Sequence, residues 1–138
     1  MEDEDIINII RRRFGEIDNI SKIPLLRGDG TFTAKISDEG IYVDNLRNYP
    51  FLPWEVFIES ISLLKEKWGK AKRGDAMQFK LGERGLPLDS IEGHIAHVIY
   101  GKKTGDTVFK RITPIACILI WSKIYIHSPG KLLLSVDI

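Results

Sequence analysis

The first group of residues that could do chemistry consists of two histidines and an acid. Glu92, His94 and His97 lie close together in the segment SIEGHIAHVIYG. Helix residues at i and i+3 share a face, so the two imidazoles could bind one metal ion. A third ligand at a spacing typical of zinc sites is missing, although Glu92 and the distant His127 have side chains of the right kind. We therefore expect ordinary helix histidines and neither a metal nor a cofactor, and His94 and His97 are the candidate ligands should a metal bind.

The second group is a set of basic residues between positions 70 and 111. The segment KAKRGD precedes the histidines, and KKTGDTVFKR follows them. Cations spaced along loops and strands hold the phosphate groups of a nucleic acid while reading little of its sequence. The candidate nucleic-acid-binding residues are Lys70, Lys72, Arg73, Lys102, Lys103, Lys110 and Arg111.

The formal net charge of +1 conceals an uneven distribution along the chain. Residues 1–60 carry −5 and residues 61–111 carry +5, with +1 left for residues 112–138. Such asymmetry can mark a contact surface for nucleic acid or for an acidic partner, and charges spread evenly over a solvated surface are the alternative interpretation.

Catalytic motifs of the common kinds are missing from the sequence. It contains no GxxxxGK[ST], GxSxG or HExxH pattern, and its only cysteine, Cys117, lies in an apolar run where a thiol stays unreactive. A catalytic site assembled from distant residues is the remaining enzyme hypothesis, namely a metal-dependent nuclease built from a lysine and several acids. These residues are Asp75, Lys80, Glu83, Asp89 and Glu92.

Large apolar residues concentrate in the segment YPFLPW at positions 49–54, and Trp68 follows soon after. Surplus aromatic residues commonly serve protein interfaces, whereas core packing is their alternative use. The candidate interface residues are Tyr49, Phe51, Leu52 and Trp54.

Periodic patterns predict the elements that must position these groups. Acids at the start, arginines at the end and Gly15 predict a short amphipathic helix over residues 2–15. Residues 31–44 alternate at period two around the turn SDEG, which predicts a β-hairpin. A longer helix is predicted between Pro53 and Gly69, and its apolar face includes both Trp54 and Trp68.

The basic part of the chain has weaker patterns. Local alternation predicts a short strand at 77–81 and another strand at 107–111. Between them, Asp89 is the predicted N-cap of a helix that ends at Gly101.

Residues 114–121 predict a buried helix with Pro114 in its first turn, or else a buried strand, and a closing hairpin follows at 123–136. Helix, turn, helix and hairpin in this order outline a winged helix. The second of these helices has no side chain that can donate two hydrogen bonds to a base edge, so a nucleic acid would be held by its phosphates. The predicted fold class is α+β, with one small domain over residues 1–138, about four helices packed on β-hairpins and a winged-helix outline in the C-terminal half.

The composition is that of a folded chain, with 43% hydrophobic and 28% charged residues. A single cysteine permits no internal disulfide, the acidic N-terminus is unlike a signal peptide, and no apolar run reaches the roughly 20 residues that span a bilayer. We therefore expect a soluble cytoplasmic protein with no membrane partner.

These observations favour a non-catalytic binding or interaction module whose ligand the sequence leaves open. Its expected partner is another protein or a second copy of the chain in a homodimer. The first alternative is an accessory or regulator that binds nucleic-acid phosphates through the basic segment at 70–111. The second alternative is the metal-dependent enzyme.

Overall fold

The computed structural model describes residues 3–15, 19–26, 28–47, 50–128 and 131–134. Within these ranges the chain forms four helices and seven strands. The helices are α1 (Asp3–Gly15), α2 (Trp54–Glu66), α3 (Ile91–Val98) and α4 (Ile112–Trp121). The strands are β1 (Ile20–Pro24), β2 (Thr31–Ile36), β3 (Gly40–Val43), β4 (Phe51–Pro53), β5 (Lys70–Lys72), β6 (Tyr125–Ser128) and β7 (Lys131–Leu134). The predicted α+β class is confirmed.

The first sheet is antiparallel, with the strand order β1-β2-β3-β4. Its centre is the predicted hairpin, in which Ala34 pairs with Val43 and Ile36 pairs with Ile41. Burial alternates along β2, where Phe32 and Ala34 face the core and Lys35 is exposed. The period-two pattern in the sequence therefore identified this hairpin correctly.

The second sheet is also antiparallel, with β7 between β5 and β6. The predicted closing hairpin is confirmed in β6 and β7. The strand predicted at 77–81 is wrong, because the side chain of Asp75 accepts hydrogen bonds from the N–H groups of Met77 and Gln78 and holds a turn there. The strand of this region lies earlier, in β5.

The core lies between the helices and the two sheets. Helix α1 buries Ile6, Ile10 and Phe14, as its apolar stripe predicted. Trp54 is also buried, and its indole N–H donates to the backbone carbonyl of Asp38 at 2.9 Å. The prediction that Trp68 shares this buried face is wrong, since α2 ends at Glu66 and the Trp68 side chain is 96% exposed.

Helix α3 begins one residue later than predicted. Its N-cap is Ser90, whose hydroxyl oxygen accepts a hydrogen bond from the N–H of Gly93 at 3.1 Å, while Asp89 instead pairs with Lys67 at 2.6 Å. Gly93 is required at this turn, because a Cβ atom there would lie 2.1 Å from the carbonyl oxygen of Pro87.

Helix α4 confirms the helical alternative for residues 114–121, and most of its residues are buried. The strand predicted at 107–111 is wrong, because this segment pairs with no other strand of the described chain. The helix, helix and hairpin occur in the predicted order, but 99–111 is a long connection and not the tight turn of a helix-turn-helix motif. Buried as it is, α4 has no exposed face with which to read base edges.

None of the helices in the described ranges combines the length and the apolar character needed to cross a membrane.

Candidate functional site

Two cavities adjoin each other where the 99–111 connection passes the turn at Asp75. The first has a volume of about 960 Å³ and the second about 840 Å³. Met77, Lys110 and Thr113 line both of them. We refer to the two cavities together as the basic cleft.

Basic side chains line both cavities. Arg47, Lys102, Lys110 and Arg111 belong to the first cavity, and Lys72, Arg73, Arg84 and Lys110 belong to the second. Five of the seven basic residues predicted to bind nucleic acid therefore meet at one place, although they come from distant parts of the sequence. The remaining two, Lys70 and Lys103, line neither cavity.

Sequence reasoning missed two basic residues of the cleft, Arg47 and Arg84. Arg84 lies in the glycine-flanked segment GERG within the basic stretch, a signal that could have been used. Arg47 follows a β-strand in the acidic first half of the chain, and nothing in the local sequence connects it to the cleft.

Three carboxylates lie among or near these cations. Asp89 interacts electrostatically with Lys72, and Glu92 does so with Arg111 and Lys110. Among the lining residues that the structure describes, Asp75 is the one carboxylate, and its side chain accepts hydrogen bonds from two backbone N–H groups. In the described part of the chain, no carboxylate forms an ion pair with Lys72, Arg73 or Lys110. Basic side chains therefore outnumber carboxylates among the described lining residues, and this excess of positive charge suits an anionic ligand.

Gly74 brings the second cavity close to the start of α3. Its φ of +89° lies in the left-handed region, and a Cβ atom there would lie 2.7 Å from the hydroxyl oxygen of Ser90. Glycine allows the chain to turn sharply between Arg73 and Asp75 while staying packed on the helix cap.

Arg111 differs from the other predicted basic residues because it is buried, with 7% of the residue exposed. Its guanidinium carbon lies 3.7 Å from the ring centre of Tyr100 and 4.8 Å from that of Phe109. All three residues line the first cavity. The guanidinium of Arg111 is thus held against two aromatic rings in the lining of the first cavity. Lys102 and Lys110 are less buried, so their side chains are freer to adjust to a ligand.

The backbone of Arg111 is held by a buried acid, Glu92. One oxygen of this carboxylate accepts hydrogen bonds from the N–H groups of Arg111, at 2.6 Å, and of Ile112, at 3.2 Å. Burial raises the pKa of Glu92 to about 7, and the two backbone hydrogen bonds oppose that rise. Glu92 therefore caps α4 from a neighbouring helix.

The acids of the nuclease hypothesis accept hydrogen bonds from local partners and do not gather into a metal site within the described ranges. Asp89 pairs with Lys67, whose hydrogen bond lowers the pKa of that carboxyl group. Glu83 accepts a hydrogen bond from the backbone N–H of Lys80, and Glu92 caps α4. No group of three or more His, Cys, Asp or Glu residues in the described ranges could hold a metal ion.

The two helix histidines have different partners. His94 Nε2 lies 2.9 Å from a carboxylate oxygen of Glu59, and His97 Nδ1 lies 2.8 Å from the backbone carbonyl of Lys102. Cys117 is buried, and burial raises the pKa of its thiol to about 11, so the thiolate needed for nucleophilic attack does not form near neutral pH.

The predicted interface residues divide into core and surface. Leu52 and Trp54 are buried, Phe51 is half-buried, and Tyr49 lies outside the described residues. The Phe51 ring packs against exposed Tyr42, with ring centres 4.9 Å apart. Register places four residues in one row across the first sheet, which we call the outer row: Ile20, Lys35, Tyr42 and Phe51.

Comparison of the chain with protein-family models, with curated proteins and with solved structures gives no match.

Proposed function

We propose that this chain is a non-catalytic binding module that holds the phosphate groups of a nucleic acid in the basic cleft. The observation that carries the proposal is the convergence of cations from β5, from the Arg84 turn and from the 99–111 connection on two adjoining cavities. Cations so arranged, with one carboxylate among them and that carboxylate bonded to backbone N–H groups, match a ligand of high negative charge density.

The size of the cleft favours an extended ligand over a single small anion. Each cavity alone is as large as many small-molecule sites. Lys110 lines both, so two groups of cations lie on either side of one shared lysine. A polyanion with phosphates at regular intervals can contact both groups at once.

The same geometry favours contact with the backbone of the nucleic acid over readout of its sequence. The cations are carried by loops and by a three-residue edge strand, and α4 is buried among apolar residues. Phosphate contacts position a nucleic acid without specifying its bases. The proposed role is therefore that of an accessory or regulator with little sequence preference, acting in the reducing cytoplasm.

The dependence of affinity on salt tests this proposal. We would measure binding of labelled DNA by fluorescence anisotropy over a range of salt concentrations, for the wild type and for the double variant Lys72→Ala, Lys110→Ala. Each lost phosphate contact lowers the magnitude of the slope of log affinity against log salt by about 0.9 on duplex DNA. The slope of the double variant should therefore be smaller in magnitude than that of the wild type by up to about 2.

A matched control separates a specific site from general charge. The double variant Lys22→Ala, Lys123→Ala removes the same charge from exposed lysines that line neither cavity. It should retain the wild-type slope. An equal loss of slope in both double variants, or no binding by the wild type at low salt, would contradict the proposal.

The outer row supports a second candidate function, association of the chain with a second copy of itself. Exposed Ile20 and Tyr42 and half-buried Phe51 share one face of the first sheet. Exposed apolar residues that lie together mark association surfaces more often than scattered ones do. Homodimers commonly bury such a patch against its own copy.

Sedimentation at increasing protein concentration tests this second candidate. A wild-type dimer that Tyr42→Lys converts to a monomer of unchanged Tm would support it. A monomer at all concentrations would exclude it and leave the nucleic-acid proposal unaffected.

A further inference from the structure

Trp68 occupies a position that the fold would give to glycine. Helix α2 ends with the N–H of Gly69 bonded to the carbonyl of Leu64, at 2.6 Å, and the N–H of Trp68 bonded to the carbonyl of Lys65, at 3.2 Å. This pair of hydrogen bonds is the Schellman ending of a helix, in which the first residue after the cap takes a left-handed conformation. That residue is Trp68, with φ of +62°.

A bulky residue in the left-handed region is an outlier, and its side chain contributes nothing to the core here. The left-handed backbone disfavours any residue with a Cβ atom. The next residue, Gly69, also has a positive φ, of +92°, so this glycine is required at its own position. Trp68 is 96% exposed, so no burial of apolar surface offsets this strain. Neither the backbone nor the packing explains why tryptophan stands here.

Trp68 lies a few residues before the part of the chain that lines the basic cleft. Trp68 is followed by β5, in which Lys70 and Lys72 are exposed while Ala71 between them is buried. The two lysines therefore project from the same face of an edge strand, about 6.6 Å apart along it. Lys72 and Arg73 then line the second cavity. We refer to Trp68, Lys70, Lys72 and Arg73 as the β5 track.

We infer that the β5 track extends the basic cleft into a binding path for single-stranded nucleic acid, on which Trp68 stacks against an unpaired base. The inference rests on the proposed function and names the form of the nucleic acid. It also gives a role to Lys70, which lines neither cavity.

Single strands present what this surface can contact. Their unstacked bases offer flat aromatic faces, whereas a duplex encloses those faces between neighbouring base pairs. Proteins that bind single strands combine cations along the backbone with exposed aromatic platforms. Trp68 supplies such a platform, and Met77, 72% exposed and shared by both cavities, supplies a second apolar surface between the cations.

Replacement of the ring without loss of the fold is the decisive experiment. Trp68→Gly places the preferred residue at the helix ending, so its Tm should equal or exceed that of the wild type. Its affinity for labelled oligothymidine, measured by anisotropy, should fall about tenfold or more, because stacking on one aromatic side chain contributes that much. Its salt slope should not change, because tryptophan carries no charge.

Two controls sharpen this result. Trp68→Phe keeps an aromatic face and should retain most of the affinity. Lys123→Gly relieves the same kind of left-handed residue after α4, where φ is +65°, and should leave stacking intact. Oligothymidine should quench tryptophan emission in the wild type and not in Trp68→Gly. The other two tryptophans are less accessible to a base, because Trp54 is buried and Trp121 is partly buried.

The outcomes distinguish the inference from the function on which it rests. Binding of oligothymidine with equal affinity by the wild type and Trp68→Gly would overturn the inference while leaving the basic cleft as a phosphate site. No binding of any nucleic acid would overturn both. A shift of Trp68 emission to shorter wavelength with phosphatidylserine vesicles, and no quenching by oligothymidine, would assign the β5 track to a membrane surface and overturn the inference.

Discussion

The backbone N–H of Arg111 donates a 2.6 Å hydrogen bond to the carboxylate of Glu92, which lies 19 residues earlier in the chain. Glu92 belongs to the first turn of α3, and Arg111 is the residue from which α4 starts. The first N–H groups of a helix have no partner within it. Arg111 is the N-cap residue of α4, but its own side chain forms no capping hydrogen bond. The contact therefore fixes the start of one helix to the start of the next, and with it the wall of the first cavity.

The first prediction concerns the pH dependence of folding. Burial raises the pKa of Glu92 from 4.5 to about 7 in the folded chain. Between these two values the folded chain binds more protons than the unfolded chain, so stability falls as the pH rises from about 4.5 to 7 and is constant above that range. Glu92→Gln removes this titration. Between pH 4.5 and 7, the free energy of unfolding measured with urea should therefore fall by about 3 kcal/mol less in Glu92→Gln than in the wild type.

Glu92→Ala is the matched control for this substitution. Glutamine retains a carbonyl oxygen that can accept from Arg111 and Ile112, whereas alanine leaves both buried N–H groups without a partner. At pH 5, where Glu92 is protonated in the folded chain, Glu92→Ala should be less stable than Glu92→Gln by about 2 to 4 kcal/mol. Equal stabilities would show that the hydrogen bonds contribute little to holding α4.

The second prediction concerns the close approach at the start of α3. Gly93→Ala would place a methyl group 2.1 Å from the backbone oxygen of Pro87, a contact that only a backbone shift can relieve. We expect a loss of about 3 kcal/mol or more in thermal or urea unfolding. Gly15→Ala serves as the control, because its added methyl group meets no atom within 4 Å, and its stability should stay within about 1 kcal/mol of the wild type. A mild effect at both positions would mean that the Pro87 turn is free to move.

Long periodic patterns predicted the fold better than local signals did. The apolar stripe of α1 and the alternation of β2 and β3 extend over enough residues that burial of one face decides the structure. The strand predicted at 77–81 was wrong because one side chain, that of Asp75, satisfies the local N–H groups in a turn. Trp68 was misplaced because α2 ends at Glu66, two residues before Trp68. The backbone hydrogen bonds that set this ending do not appear in the hydrophobic periodicity.

The sequence indicated most of the basic residues of the candidate site, but not how they are arranged around the two cavities. The basic residues at 70–111 are visible as a charge excess, and five of those named line the cleft. Arg47 joins them only through the packing of distant segments, and Arg111 is withdrawn from solvent by its contacts with Tyr100 and Phe109. The positions of Arg47 and Arg111 depend on tertiary contacts between distant segments, and these contacts cannot be predicted from the charge and spacing of neighbouring residues.

The third prediction concerns Trp54, named from the sequence both as a core residue and as an interface candidate. The residue is 7% exposed, and its indole N–H bonds to Asp38. Trp54→Ala should lower the free energy of unfolding by about 3 to 5 kcal/mol, as removal of a buried aromatic side chain does. Trp54→Phe keeps an aromatic ring and loses the hydrogen bond, so we expect a smaller loss. Wild-type stability in Trp54→Ala with altered self-association would instead place Trp54 at an interface.

The last prediction uses two neighbouring lysines that the sequence treats as equals. Lys102 lines the first cavity and Lys103 lines neither cavity, although both belong to the predicted basic set. If the basic cleft holds phosphates, Lys102→Ala should lower the salt slope of duplex DNA binding by up to about 0.9, and Lys103→Ala should leave it nearly unchanged. The stability of both variants should match the wild type within about 0.5 kcal/mol, because neither side chain forms an ion pair in the described part of the chain. The comparison is strict because the two substitutions remove the same charge one residue apart. A loss of slope in Lys103→Ala equal to that in Lys102→Ala would mean that the ligand lies on the outside of this loop and that the cavity does not hold it.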